Sequence, residues 1–129
     1  MKTLTMEQAE LVTLNASSIS MIATPSATEY IDVVSATAYT TFGTNQYDTN
    51  VVMEIKSAGA SVAQWENDQA LPSTVSRGTK FYPVQTTTSG ETQMPLGAGV
   101  SVGVKTGETA TGDGIVTVTL IYAVIDTGL

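Results

Sequence analysis

The sequence predicts an all-β fold, a single-domain β-sandwich of jelly-roll-like type with a short N-terminal helix or arm. Apolar residues alternate with polar ones in several segments, most clearly over residues 98–126. In addition, 33 of the 129 residues are serine or threonine, which favour strands and turns over helices. Turn-forming residues separate the alternating segments. We expect an arm at residues 1–15 and a sandwich at residues 16–129, with an immunoglobulin-like topology as the alternative.

The composition argues against several classes of function. There is no cysteine and no histidine, so the commonest transition-metal ligands and the usual acid–base side chain near neutral pH are missing. The net charge of −7 opposes binding to nucleic acid or to anionic membranes. No apolar run approaches the length of a membrane span, and the N-terminus lacks the features of a secretory signal. We therefore expect synthesis in a cytoplasm, no cofactor, and no nucleic-acid or membrane partner.

The N-terminal segment contains the best helix candidate, between Thr5 and Leu14. Thr5 could cap this helix together with Gln8, and an acid follows in the first turn. The apolar residues of the segment form a stripe that could anchor the protein on a partner or cover its own sandwich. These candidate anchoring residues are Leu4, Met6, Leu11, Val12 and Leu14.

The central part of the chain predicts four strands and one helical turn. Strands are expected at residues 18–24 and 29–39, and then at residues 51–56 after a loop over residues 40–50. Residues 61–73, around the single tryptophan, are expected to form a helical turn. A strand over residues 79–85 contains Pro83, which indicates an edge position or a strand end because proline cannot donate to a ladder.

The C-terminal third predicts a β-hairpin. Its first arm alternates valine with other residues over 100–105, and its second arm extends over residues 115–125. The segment between them, residues 106–114, is rich in residues that favour turns. Because the second arm is long and carries isoleucine on its other face as well, we expect it to be a central strand.

The polar residues do not form a recognisable catalytic or metal-binding motif. The neighbouring acids Glu7 with Glu10, and Glu66 with Asp68, are best interpreted as solvated charges, although paired carboxylates are what glycoside hydrolysis requires. Asp113 between glycines, and Asp48 near two asparagines, could supply oxygen ligands to calcium, but turn formation explains both better. We therefore expect no enzyme activity and no bound metal.

Four aromatic residues are candidates for contact with a partner at a distal tip: Tyr39, Phe42, Tyr47 and Trp65. Tyr39, Phe42 and Tyr47 lie in or beside one predicted loop, where they could bind a carbohydrate or a receptor. Packing in the core or at a subunit interface is the alternative interpretation, because large aromatic side chains supply much of the buried area at such places.

The order of these features resembles small virion proteins of tailed bacteriophages, of the head-decoration or head-fibre type. The resemblance rests on the run Tyr30–Asp32, the strand that follows Asn50, Pro95 and Leu96, and the C-terminal strand that begins after Gly112-Asp113-Gly114. It implies a compact β-sandwich that assembles as a homotrimer on the capsid, with the major capsid protein or another virion protein as partner. It implies no catalytic residue. An adhesive module that binds a receptor or a carbohydrate at the tip of a fibre or tail is the alternative.

Overall fold

The protein is described from a computed structural model, which covers residues 1–47, 51–65, 75–85, 90, 92–107 and 112–129. This part of the chain contains eight strands and one short helix, so the all-β prediction is confirmed. In chain order the elements are β1 Lys2–Met6, α1 Gln8–Leu11, β2 Ile19–Ile22, β3 Glu29–Thr41, β4 Val52–Ser57, β5 Ala60–Trp65, β6 Arg77–Pro83, β7 Val100–Thr106 and β8 Ile115–Asp126.

The strands form one antiparallel sheet in the order β1-β8-β3-β6-β5-β4-β7-β2. The sheet folds back on itself, so that its two ends, β1 and β2, lie near each other. Strand β6 joins the two halves: Arg77–Lys80 pair with β3, whereas Phe81–Pro83 pair with β5. The chain therefore builds two facing layers, β1-β8-β3 and β5-β4-β7-β2, around one core.

The core is filled by the inward side chains of both layers. Because side chains alternate along a strand, one apolar stripe of each strand is enough to fill the space between the layers. Val116, Val118 and Leu120 on β8 have no exposed surface, and neither do Ile55 on β4 and Val102 on β7. The alternation that predicts the strands thus also identifies the buried residues.

Strand β8 is central, as predicted, but the predicted hairpin is wrong. β8 pairs with β1 and β3, whereas β7 pairs with β2 and β4 in the opposite layer. The inward valines of β7 and β8 face a common core from two sides, and two strands side by side would show the same alternation. The connection between them crosses from one layer to the other, and its residues 108–111 lie outside the described part of the chain.

Two helix predictions need correction. Residues 2–6 form β1, which pairs with β8 from Lys2↔Leu120 to Met6↔Val116, and the helix is confined to Gln8–Leu11. The capping box consists of Glu7 and Glu10 instead of Thr5 and Gln8. The predicted turn over residues 61–73 begins as strand β5, which ends at Trp65, and residues 66–74 lie outside the described residues. Pairing with a neighbouring strand has outweighed weak local helix signals in both places.

Candidate interaction surfaces

The outer face of β1, β8 and β3 carries hydroxyl side chains in regular rows. Directly opposed residues of antiparallel strands lie on the same face of a sheet. One row is Thr3–Thr119–Thr37, and the next is Thr5–Thr117–Tyr39. The hydroxyl oxygens of Thr5 and Thr117 are 3.4 Å apart, which is within hydrogen-bonding distance. We call this surface the threonine face; it also includes Ser35 and Ile121, which pair with each other.

The paired rows of the threonine face contain no acidic side chain, although the protein has twelve acidic and five basic residues. Two charged residues border the rows: Lys80, which pairs with Thr37 at the β6 side, and Asp32, which pairs with Ala123 on the same face beyond Ser35 and Ile121. Ile121 is 50% exposed and Tyr39 is 53% exposed. Solvated faces of antiparallel sheets commonly carry polar and charged residues, whereas protein interfaces are depleted of lysine, glutamate and aspartate.

The four predicted aromatic contact residues separate into exposed and buried ones. Tyr39 lies on the threonine face, and Phe42 is half-buried in the loop that follows β3. Tyr47 and Trp65 are buried in the core, where the Trp65 ring packs against Phe81 with 5.8 Å between centroids. The structure does not gather the four into one patch. Only Tyr39 and Phe42 lie where a partner can reach them.

Tyr47 holds two loops together. Its hydroxyl donates a 2.7 Å hydrogen bond to the carbonyl oxygen of Gly114, and its ring lies against Gly112, where an added Cβ would fall 2.6 Å from the ring. Gly112 also has a positive φ of 123°, so glycine is required there for two reasons. Burial and, to a smaller extent, the carboxylate of Asp113 raise the pKa of Tyr47 from 10.0 to about 12.

Asp113, considered above as a calcium ligand, is used to fix a turn. One of its carboxylate oxygens accepts hydrogen bonds from the backbone N–H groups of Thr44 and Asn45, both at 2.8 Å. An open polar cleft of about 730 Å³ lies beside this turn. It is lined by Gln8, Phe42, Thr44, Asn45, Gln46, Gly112 and Asp113. Asp48, the other calcium candidate, lies outside the described residues.

The N-terminal candidates lie mostly inside the protein. Met6, Leu11 and Leu14 belong to the buried core, with at most 1% of their surface exposed. Leu4 packs partly against that core and Val12 is half-buried. In this fold the stripe covers the protein's own sandwich at three of its five positions, and only Leu4 and Val12 present surface to a partner.

One of the two acidic pairs has a structural role in the described part of the chain. Glu10 accepts a 2.9 Å hydrogen bond from the backbone N–H of Glu7, so this pair closes the capping box of α1. Glu66 and Asp68 lie outside the described residues. Within the described ranges, no group of three or more acids is placed to hold a metal ion, and no helix is long and apolar enough to cross a membrane.

The sequence contains only the local part of the signal for the threonine face. Thr3 and Thr5, and likewise Thr117 and Thr119, are separated by one residue, so in strands they lie on one face. That these two segments are neighbours, with Thr37 beside them, follows only from the pairing of β1 and β3 with β8.

No protein-family model matches the sequence, and a comparison with curated proteins finds no match. Among solved structures, the chain is similar to a chain of the cyanophage Pam1 capsid asymmetric unit, with 15% identity and a TM-score of 0.48; the match covers 94% of this chain and 81% of that one. It is also similar to a cyclase from Fischerella sp. TAU, with 8% identity, a TM-score of 0.39, and coverage of 84% and 55%. Similarities at this level assign neither a family nor an activity.

Proposed function

We propose that the protein is a non-enzymatic structural protein of a bacteriophage virion, made in the host cytoplasm, which decorates the capsid surface as a homotrimer. The observation that carries the proposal is the threonine face, a surface without acids on a protein of net charge −7. Copies of so acidic a chain repel each other, and an interface between them is favoured where the acids are absent.

The side chains of the threonine face suit a protein contact. Threonine is branched at Cβ and stiff at χ1, so it loses little conformational freedom when a partner covers it. Its hydroxyl can still find a hydrogen-bond partner across the contact. Tyr39 and Ile121 add exposed aromatic and aliphatic area to the same surface. A closed symmetric trimer would cover such a face on every copy without open-ended growth.

The connectivity of the strands supports a capsid role by analogy. The strand order divides into two groups of four neighbouring strands, β1-β8-β3-β6 and β2-β7-β4-β5. Every connection along the chain crosses from one group to the other, except the β4–β5 hairpin. We infer a jelly roll from this connectivity. Jelly rolls occur in viral capsid proteins and in lectins. A fold alone does not determine function, so the analogy adds to the argument from the surface and does not replace it.

Attachment to the capsid is proposed to use the N-terminal segment, with the major capsid protein or another virion protein as partner. Since Met6, Leu11 and Leu14 lie in the core, the apolar contact would fall to Leu4 and Val12. Contact through two half-buried side chains alone is small, so part of the binding energy must come from other surfaces of the trimer.

The test compares two variants. One adds a negative charge to the threonine face, and the other adds a negative charge to the opposite layer. Thr119→Asp is expected to leave a folded protein that sediments as a monomer, because three copies would bring three carboxylates together. Ser20→Asp, on the exposed side of β2, is the matched control and should remain trimeric. Wild-type protein that is only monomeric by light scattering at micromolar concentration would contradict the trimer.

The virion role is tested separately. The wild-type protein should co-sediment with purified phage particles and be located on their surface by electron cryomicroscopy, and the acidic chain should not be retained on a duplex-DNA column at low salt. A protein that binds DNA in a salt-sensitive manner, or that never associates with particles, would contradict the proposal.

The polar cleft beside the Asp113 turn favours a second candidate, an adhesive module that binds carbohydrate. Its lining combines amide and hydroxyl side chains with the ring of Phe42, and such groups can hydrogen-bond sugar hydroxyls and pack against a sugar ring. Binding to a glycan array that is lost in Phe42→Ala, without association with particles, would favour this candidate over decoration.

A further inference from the structure

Strand β3 has an unpaired edge in the middle of the sheet. β3 pairs with β8 along its whole length, but it pairs with β6 only over Thr37–Thr40. After Lys80, β6 turns away and pairs through Phe81–Pro83 with β5 in the other layer. Within the described ranges, residues 32–36 of β3 therefore have a strand, β8, on one side and none on the other.

An apolar cleft of about 320 Å³ lies where β3 and β6 separate. Its apolar walls come from β3, β5 and β6 and from the segment that leads to β7. The wall residues are Val33, Ala36, Val62, Ala63, Phe81 and Met94. Two further lining residues are exposed, Val34 at 63% and Tyr82 at 48%. Val34 occupies the irregularity in the β3–β8 register between Val33 and Ser35.

In the part of the chain that the structure describes, no strand pairs with the backbone along this edge. In a strand, alternate residues direct their N–H and C=O groups toward one neighbour. On β3, the loop and side-chain hydrogen bonds assigned among the described residues lie at Glu29, before this edge, and at Phe42, after the end of the strand. Unpaired strand edges are templates for the addition of another strand, and here the edge borders apolar pockets that can accept its alternate side chains.

The charge at the cleft defines the added strand further. Lys80 lines the cleft at the β6 end of the edge and is exposed on the outer face, opposite Thr37, whereas the acid Asp32 lines the cleft at the other end of the edge. It makes no ion pair in the described part of the chain, where the recorded salt bridge joins Lys56 and Glu54. An added strand with an acidic side chain on its outer face would therefore gain a complementary contact.

We propose that this cleft binds an extended segment of another protein, which adds as a strand to the 32–36 edge of β3. The segment places apolar side chains between Val33, Val62 and Phe81, and an acidic side chain on the outer face next to Lys80. About five residues fill the edge, at roughly 3.3 Å per residue. The proposal does not depend on a virion role, since it follows from the pairing of β3 and the lining of the cleft.

The experiment uses the full-length protein and two synthetic peptides, TVTVEVT and TVTVKVT, which differ only in one outward charge. The glutamate peptide should bind saturably and slow backbone hydrogen exchange within residues 32–36, measured by NMR. The lysine peptide should bind about threefold more weakly, as expected for the loss of one cross-strand ion pair. Lys80→Gln should remove this preference.

Two matched variants locate the site. Val34→Glu puts a like charge at the mouth of the cleft and should weaken binding of the glutamate peptide, whereas Ser20→Glu, on the exposed side of β2 in the other layer, should not. Equal effects of the two variants, equal binding of the two peptides, or protection outside residues 32–36 would overturn the proposal. Protection of the same residues that increases with protein concentration without peptide would overturn it in favour of a second copy of this chain.

Discussion

Replacing Tyr47 with phenylalanine tests the loop contact that the structure assigns to its hydroxyl. The hydroxyl is buried and donates a 2.7 Å hydrogen bond to the carbonyl oxygen of Gly114. Tyr47→Phe leaves that carbonyl without its partner, which should lower the free energy of unfolding by about 1 to 3 kcal/mol near neutral pH. The phenyl ring can still pack against Gly112, so the fold should be retained.

The pH dependence gives a second, independent signature. Burial raises the pKa of Tyr47 from 10.0 to about 12 in the folded state. The unfolded chain therefore releases this proton first as the pH rises, and the folded state loses stability between these two values. Each unit of difference between the folded and unfolded pKa values corresponds to about 1.36 kcal/mol, so the free energy of unfolding falls by about 2.7 kcal/mol in total. About 1.4 kcal/mol of this decrease has occurred at about pH 11.

The assay is urea denaturation at about pH 9 and about pH 11, followed by far-UV circular dichroism. The wild-type protein should lose about 1.4 kcal/mol more than Tyr47→Phe between these two values, because other titrating groups affect both proteins equally. Tyr39→Phe removes an exposed hydroxyl and should behave like the wild type. If wild type and Tyr47→Phe lose stability in parallel, the assigned burial and hydrogen bond of Tyr47 are wrong.

Three further predictions concern the fold. Leu120→Asp should unfold the protein, at a cost above about 4 kcal/mol, because position 120 is fully buried; a soluble variant with a cooperative melting transition would refute the register of β8. Thr40→Val should raise the free energy of unfolding by about 1 to 2 kcal/mol in urea, since the buried hydroxyl of Thr40 has no hydrogen-bond partner among the described residues; a loss of stability would show an unrecognised bond. Deletion of residues 1–15 should abolish the thermal transition, because it removes β1 and three core side chains; a folded product that no longer binds particles would instead support N-terminal anchoring.

The sequence by itself determined which faces of the strands are buried. Alternation along a strand is a local property, because successive side chains point to opposite sides whatever lies next to them. Val118 and Leu120 lie on one side of this alternation and are both fully buried, and the length of β8, with its apolar residues on both faces, correctly indicated a central strand. Pro83 indicated an edge position or a strand end, and the second alternative is correct because β6 ends at this residue; its missing N–H is a local property too.

Only the tertiary structure decided which strands are neighbours. Alternation is the same whether two strands pair side by side or face each other across a core, so β7 and β8 could not be separated into different layers from their sequence. Residues 2–6 became a strand because β8 offered an edge, and that edge lies more than a hundred residues away in the chain. The threonine face and the cleft beside β3 both arise from such distant pairings, and local residue patterns do not encode them.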